Sequence, residues 1–146
     1  MRIALGSDHA GYELKERARA WLADRGFQTE DLGPSGLEAV DYPDFAHAVC
    51  DRVTGGKADL GVLVCKTGIG MCIAANKLPG IRAAHPANEE EAFLARSHNN
   101  ANVLCLGGGT TDPDAAIAVL DMFVSTPFSN EERHIRRLAK IEALEQ

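Results

Sequence analysis

Apolar residues fall along this chain in two rhythms. Short, nearly unbroken apolar runs alternate with longer stretches in which apolar positions recur every three or four residues. The runs suit strands buried on both faces, and the wider spacing suits amphipathic helices. Arg2 to Ser7 is predicted as strand one and runs into Ser7-Asp8-His9-Ala10-Gly11. Tyr12 to Arg25 is helical, with Leu14, Ala18, Trp21 and Leu22 on one face and Gly26 closing it. Phe27 to Leu32 is strand two, followed by the loop Gly33-Pro34-Ser35-Gly36. Asp41-Tyr42-Pro43 opens a helix to about Thr54, with Phe45, Ala46, Val49 and Val53 inward. Leu60 to Val64 is strand three, and a helix starts near Met71. Ile81 to Ala84 is a short strand four, and Asn88-Glu89-Glu90-Glu91 has the capping-box pattern of a helix to Ser97. Asn102 to Leu106 is strand five, Asp112-Pro113 caps a helix to Val124, and Ser129-Asn130-Glu131-Glu132 caps a last helix over about 130–144.

Strands alternating with helices across short loops predict a doubly wound, Rossmann-like α/β fold. It is a three-layer sandwich around a five-stranded parallel sheet. Ligands in such folds bind beyond the carboxyl ends of the strands, where strand order reverses. With strand order 2-1-3-4-5 that crevice lies between strands one and three, and Asp8-His9 meets Cys65–Gly70 there.

The stretch Asp59 to Asn76 carries the densest chemistry. Strand, glycine loop and helix start follow one another, so several backbone N–H groups and the positive end of a helix dipole aim at one small volume. Cys65 sits at its lip, and a thiol beside Lys66 and a helix N-terminus is expected to lose its proton more easily than a free cysteine. Thr67 adds a hydroxyl. The plainer reading is a tight turn beside an inert buried cysteine. Gly68-Ile69-Gly70 lacks the third glycine of a dinucleotide fingerprint and is no Walker A loop. An anion held here is small: a phosphate, a carboxylate or an enediolate.

Composition narrows the classes. The 146 residues make one domain, 45% hydrophobic and 25% charged. A net charge of −6 argues against nucleic-acid or membrane-surface binding. No apolar run approaches a membrane span, and the strand pattern at the second residue predicts no signal peptide. Cys50, Cys65, Cys72 and Cys105 show no C-x-x-C spacing, so neither a zinc site nor a disulfide framework is expected, and a cytoplasmic location fits.

Asp8-His9-Ala10-Gly11, Asp41-Tyr42-Pro43, Cys65 with Thr67-Gly68-Ile69-Gly70, Ala74-Ala75-Asn76-Lys77 and Gly80-Ile81-Arg82-Ala83 form an ordered set. His98-Asn99, Asn102-Val103-Leu104 and Arg133-His134 with Arg137 complete it. In order and spacing, over nearly the whole chain, the set resembles the type B ribose-5-phosphate isomerase family, which includes galactose-6-phosphate isomerase subunits. The resemblance implies a cofactor-independent, metal-free aldose–ketose isomerase of a phosphosugar, first of all ribose 5-phosphate, working through an enediolate. It makes Cys65 the base and Thr67 its helper at the oxygens. The amides of Thr67, Gly68, Ile69 and Gly70 hold the enediolate. His98, with Asp8, opens the sugar ring. His9, Arg133 and Arg137 grip the phosphate, and Tyr42 and Asn99 orient hydroxyls. It also implies a homodimer or dimer of dimers whose sites draw on both subunits, with the last helix packing on the partner.

Each assignment has a plainer competitor. Asp8 could cap the following helix, Tyr42 could be a hydrophobic staple, and Asn99, Asn100 and Asn102 could be turn residues. His98 could be a hydrogen-bonded structural histidine. Arg133 and Arg137 could be salt-bridge partners of nearby glutamates. The chain also departs from the family pattern. Lys66 stands where glycine is usual, and Gly107-Gly108-Gly109 where an arginine is common. Asn100 replaces a common aspartate, and Glu131-Glu132 a pair of glycines. The departures leave open another phosphosugar, a hexose 6-phosphate or tetrose phosphate, or a non-catalytic sugar-phosphate sensor. They make Lys66 a further candidate for the anionic side of the site.

Overall fold

The computed structural model describes residues 1–145. Its elements, in order, are β1 (Arg2–Ser7), α1 (Tyr12–Asp24), β2 (Gln28–Asp31), α2 (Tyr42–Thr54), β3 (Leu60–Cys65) and α3 (Ile69–Asn76). Then come β4 (Ala83–Ala84), α4 (Glu89–Ser97), β5 (Val103–Gly107), α5 (Pro113–Ser125) and α6 (Glu132–Glu142). All pairings in the five-stranded sheet are parallel. Alternation along the central strands splits the core in two. Ile3, Leu5, Val62, Val64, Leu104 and Leu106 face α1, α4 and α5. Ala4, Leu63, Cys65, Val103 and Cys105 face α2 and α3.

The strand order is β2-β1-β3-β5-β4, not 2-1-3-4-5. Only two residues of the expected fourth strand pair, and they are half-buried. All five residues of β5 are buried, which suits the inner position beside β3. The exchange reverses the direction of the β4-to-β5 crossover, so a right-handed connection puts α4 on the face of α1 rather than that of α2 and α3. The reversal of connections between β1 and β3, and so the crevice, is unaffected.

Capping follows the side-chain chemistry in part. Asn88 Oδ1 accepts from Glu91 N–H at 2.9 Å, and Asp112 Oδ2 from Ala115 N–H at 3.1 Å. The N-cap of α6 is Glu131; Ser129 caps nothing there, and its hydroxyl accepts from Glu131 N–H at 3.4 Å. Within α1, Lys15 is wholly buried beside Leu14, Ala18 and Leu22. Its ammonium reaches Asp31 Oδ1 and the Pro34 carbonyl, each at 2.7 Å, and ties α1 to the end of β2. Trp21 is only half-buried, with the Arg25 guanidinium over its ring at 4.3 Å. Among the described residues no helix is long and apolar enough to cross a membrane.

Candidate active site

Two loops meet at the carboxyl end of the sheet. Ser7 pairs in register with Val64, and Asp8 N–H continues the ladder to Val64 O at 3.1 Å. This sets Asp8-His9 beside Cys65. Gly11 closes against the same strand: a Cβ there would lie 2.3 Å from Val64 O, so the turn tolerates no side chain. Asp8 Oδ1 accepts from Gly11 N–H at 2.9 Å, so this buried carboxylate closes the turn before α1 with one oxygen; the helix itself has Gly11 as N-cap and no side-chain cap. His9 Nδ1 accepts from Val40 N–H at 3.3 Å, which holds the 32–41 segment over the crevice.

Beyond β3 the backbone turns sharply into α3. Gly68 is the N-cap in the left-handed region, with φ +83°, a conformation glycine adopts at little cost. The turn brings Gly68 N–H back onto Cys65 Sγ at 3.2 Å. Ile69 N–H is used by Thr67 Oγ1 at 3.1 Å, leaving the threonine hydroxyl free to donate. The Thr67, Gly70 and Met71 amides make no hydrogen bond among the described residues and are free donors of the loop. Of the four amides expected to form an anion hole, Gly68 and Ile69 spend their N–H groups on Cys65 Sγ and Thr67 Oγ1, while Thr67 and Gly70 keep theirs unpaired. Tyr42 lies across the opening: a Cβ on Gly70 would fall 2.7 Å from its Cζ and 3.0 Å from its hydroxyl. Tyr42 is therefore over the loop, not stapled into the core.

The loop after β5 braces this cradle from the other side. Gly108 N–H donates to Cys65 O at 2.8 Å and Gly109 N–H to Lys66 O at 2.9 Å. His85, which sequence reasoning passed over, packs against Gly68 from the β4 side: a Cβ on Gly68 would lie 2.7 Å from its Nε2. It has no motif around it to single it out. Cys72 is a thiol of lowered pKa. A hydrogen bond with Cys105 lowers it to about 7 against the effect of burial. Its Sγ sits 3.7 Å from Ala83 O and accepts from Asn76 Nδ2, on the β4 side rather than in the crevice.

The remaining predicted residues lie elsewhere. Helix α4 starts beyond the carboxyl end of β4 and runs back, so His98, its C-cap, is at the amino end of the sheet with Asn99. Helix α6 packs there too. Ser129 N–H bonds Ser97 O at 3.0 Å, and the His134 ring stacks on His98 with centroids 4.1 Å apart and planes 20° apart. Burial lowers the His134 pKa, and His98 and Arg133 push the same way while Glu131 opposes them. His134, buried in this stack, belongs to the Arg133-His134 motif but carries no predicted role at the site. Arg133 pairs with Glu131 at 2.9 Å; Arg137 is exposed and makes no ion pair among the described residues. Asn99 is exposed, and its carbonyl accepts from Arg82 Nε at 3.1 Å. Asn100 takes a left-handed turn and Asn102 clamps the backbone of Arg82 and Gly80, so these two are turn residues. The Cys65 cradle and the His98–Arg137 cluster therefore lie at opposite ends of one chain's sheet.

Comparison with known proteins agrees with this architecture. The family model described as Ribose/Galactose Isomerase matches residues 3–141. The probable ribose-5-phosphate isomerase B of Mycoplasma genitalium is 44% identical over 141 residues, 95% of this chain and 92% of that protein. A structure of Clostridium thermocellum ribose-5-phosphate isomerase B superposes with TM-score 0.97 at 43% identity, covering 99% of this chain and 97% of that one. The Mycoplasma genitalium ribose-5-phosphate isomerase B solved with bound ribulose-5-phosphate gives 0.93 at 43% identity, covering 99% and 95%. With the fold and near full-length similarity in common, the chain belongs to the ribose/galactose isomerase family.

Proposed function

We propose that this protein interconverts ribose 5-phosphate and ribulose 5-phosphate by proton transfer through an enediolate, without a cofactor. The observation that carries the proposal is the Cys65 cradle: a thiol accepting from Gly68 N–H at 3.2 Å, beside a free threonine hydroxyl and the unused amides of Thr67, Gly70 and Met71. The Mycoplasma genitalium relative solved with ribulose-5-phosphate supports the choice of substrate. The reaction needs a base at C2, proton traffic between O1 and O2, and fixed donors for the oxyanion. The Cys65 thiolate takes the C2 proton and returns it to C1. Thr67 Oγ1 passes a proton between the two oxygens, and the Gly70 and Met71 amides, at the positive end of α3, receive the enediolate charge. Tyr42 orients hydroxyls over Gly70. Asp8 and a histidine open the ring.

The ring-opening histidine and the phosphate-binding arginines come from a second subunit, while His9 stands beside Cys65 of its own chain. His98, Asn99, Arg133 and Arg137 lie at the wrong end of their own sheet to serve their own Cys65. Helix α6 and the turn after it leave Ile135, Ile141 and Leu144 exposed, and α3 leaves Ile69 and Ile73 exposed beside the cradle. An isologous dimer that buries these faces sets each amino-end cluster against the partner's cradle, twice by symmetry. We place the protein in the cytoplasm as such a dimer, alone or paired into a tetramer.

The test is a panel of pentose, hexose and tetrose phosphates with purified protein, reading aldose–ketose conversion and deuterium uptake at the transferred position. Conversion should be fastest on ribose 5-phosphate, and Cys65→Ala should abolish both signals while still binding substrate. Mixing inactive Cys65→Ala and Arg137→Ala subunits should restore part of the activity, since one of the two sites in a mixed dimer is intact. A fully active monomer would rule out the shared site. Preference for a hexose or tetrose phosphate would move the substrate and keep the chemistry.

A further inference from the structure

Lys66 directly follows the thiol but is not aimed at it. Cys65 faces the α2–α3 side of the sheet, and successive residues of extended chain point to opposite sides. The Lys66 stem lies across the loop after β5: a Cβ on Gly109 would fall 2.9 Å from Lys66 Cγ. Any side chain at 109 and this lysine would compete for one space. The backbone is pinned from below, with Lys66 O accepting from Gly109 N–H at 2.9 Å and from Thr110 Oγ1 at 3.5 Å. The ammonium itself is exposed and has no carboxylate partner among the described residues. Other cations that reach toward this end are engaged: Lys15 with Asp31, Arg17 with Asp114. The 107–109 loop also touches the Ala10-Gly11 turn, since a Cβ on Gly108 would lie 3.1 Å from Ala10 O and 3.2 Å from Gly11 Cα. The loop under Lys66 therefore packs on the turn that follows His9.

We propose that Lys66 is a specificity-determining contact for the substrate's phosphate, its ammonium carried over Gly109 on the loop that packs on the turn after His9. This rests on the functional reading above. The reacting carbons lie over Cys65 Sγ and the loop amides, so the far, phosphorylated end of a short sugar is the part that reaches that loop. Lysine suits that place as a mobile point charge on a flexible stem.

The variant is Lys66→Met, which keeps the stem over Gly109 and removes the charge. The KM for ribose 5-phosphate should rise about tenfold, the lower end of what a charged hydrogen bond contributes. The kcat should stay within twofold and the acidic limb of the pH–rate profile should not move. Inorganic phosphate, titrated calorimetrically, should bind the variant weaker by a similar factor, and Lys66→Arg should recover most of the loss. A displaced acidic limb with KM unchanged would make Lys66 a modulator of the thiol and overturn the proposal. Unchanged KM, kcat and phosphate affinity would overturn it as well. If wild-type protein failed to isomerise ribose 5-phosphate, the functional reading would fall while the phosphate titration still judged Lys66.

Discussion

Gly68→Ala tests whether the turn that returns an amide to Cys65 is what makes the site. An alanine at φ +83° costs about 1–2 kcal/mol, since its Cβ crowds the neighbouring carbonyl. The new methyl also meets His85 Nε2 at 2.7 Å and the Leu106 carbonyl carbon at 3.1 Å. The imidazole is exposed and can rotate away, and the backbone contact needs only a few tenths of an ångström. Overpacking then adds roughly 1 kcal/mol, the low end of its range. A total of about 2–3 kcal/mol is well below the stability of an ordinary domain. It should lower Tm by about 8–12 °C in a chain of this size. Activity should suffer more than stability. Any relaxation that relieves the strain moves Gly68 N–H off Cys65 Sγ and tilts the first turn of α3, so kcat should drop about 100-fold or more. Calorimetric melting, circular dichroism and steady-state kinetics at 25 °C separate the two effects. Adding His85→Gly removes the side-chain clash and leaves the dihedral cost; Tm should recover in part and kcat should not. A folded Gly68→Ala protein with kcat within threefold of wild type would refute the reasoning.

Lys15→Met should fold with an unchanged kcat but lose about 1–3 kcal/mol in chemical denaturation, because the Pro34 carbonyl and Asp31 lose a buried charged donor; a variant as stable as wild type would show the pair to be neutral. The Lys15 and Gly33 hydrogen bonds also hold the Asp31 pKa below its ordinary value against the opposing effect of burial. The associated stability is present above pH 3.8 and lost as pH falls through the lowered folded value. His134 acts in a different window. Its folded pKa is below 6.5, so on acidification the unfolded chain takes up the proton first and stability falls as pH drops below 6.5. Replacing His134 with Gln should flatten that part of the pH–stability curve, and an unaltered slope between pH 7 and 5 would count against it.

Much of this molecule is local and could be read without coordinates. The apolar run Leu60–Cys65 is a strand because β-branched and aliphatic residues fill both faces of an inner parallel strand. The break at Thr67-Gly68 has to turn, and the helix that follows has to present free amides. Asp112, Asn88 and Pro113 mark helix starts by chemistry acting within four residues. The Cys65, Thr67 and Gly70 cluster is contiguous for the same reason. What the sequence could not settle depends on partners far along the chain. The fourth strand in sequence is at the sheet edge because only two of its residues pair, whereas the wholly apolar β5 gains more from the inner position. Lys15 reads as a surface residue until β2 and the 33–34 turn fold over it and supply an acceptor on each side. His98 and Cys65 fall at opposite ends of the sheet because α4 must run back antiparallel to the strands it joins, a consequence of parallel pairing that neither residue's neighbours encode.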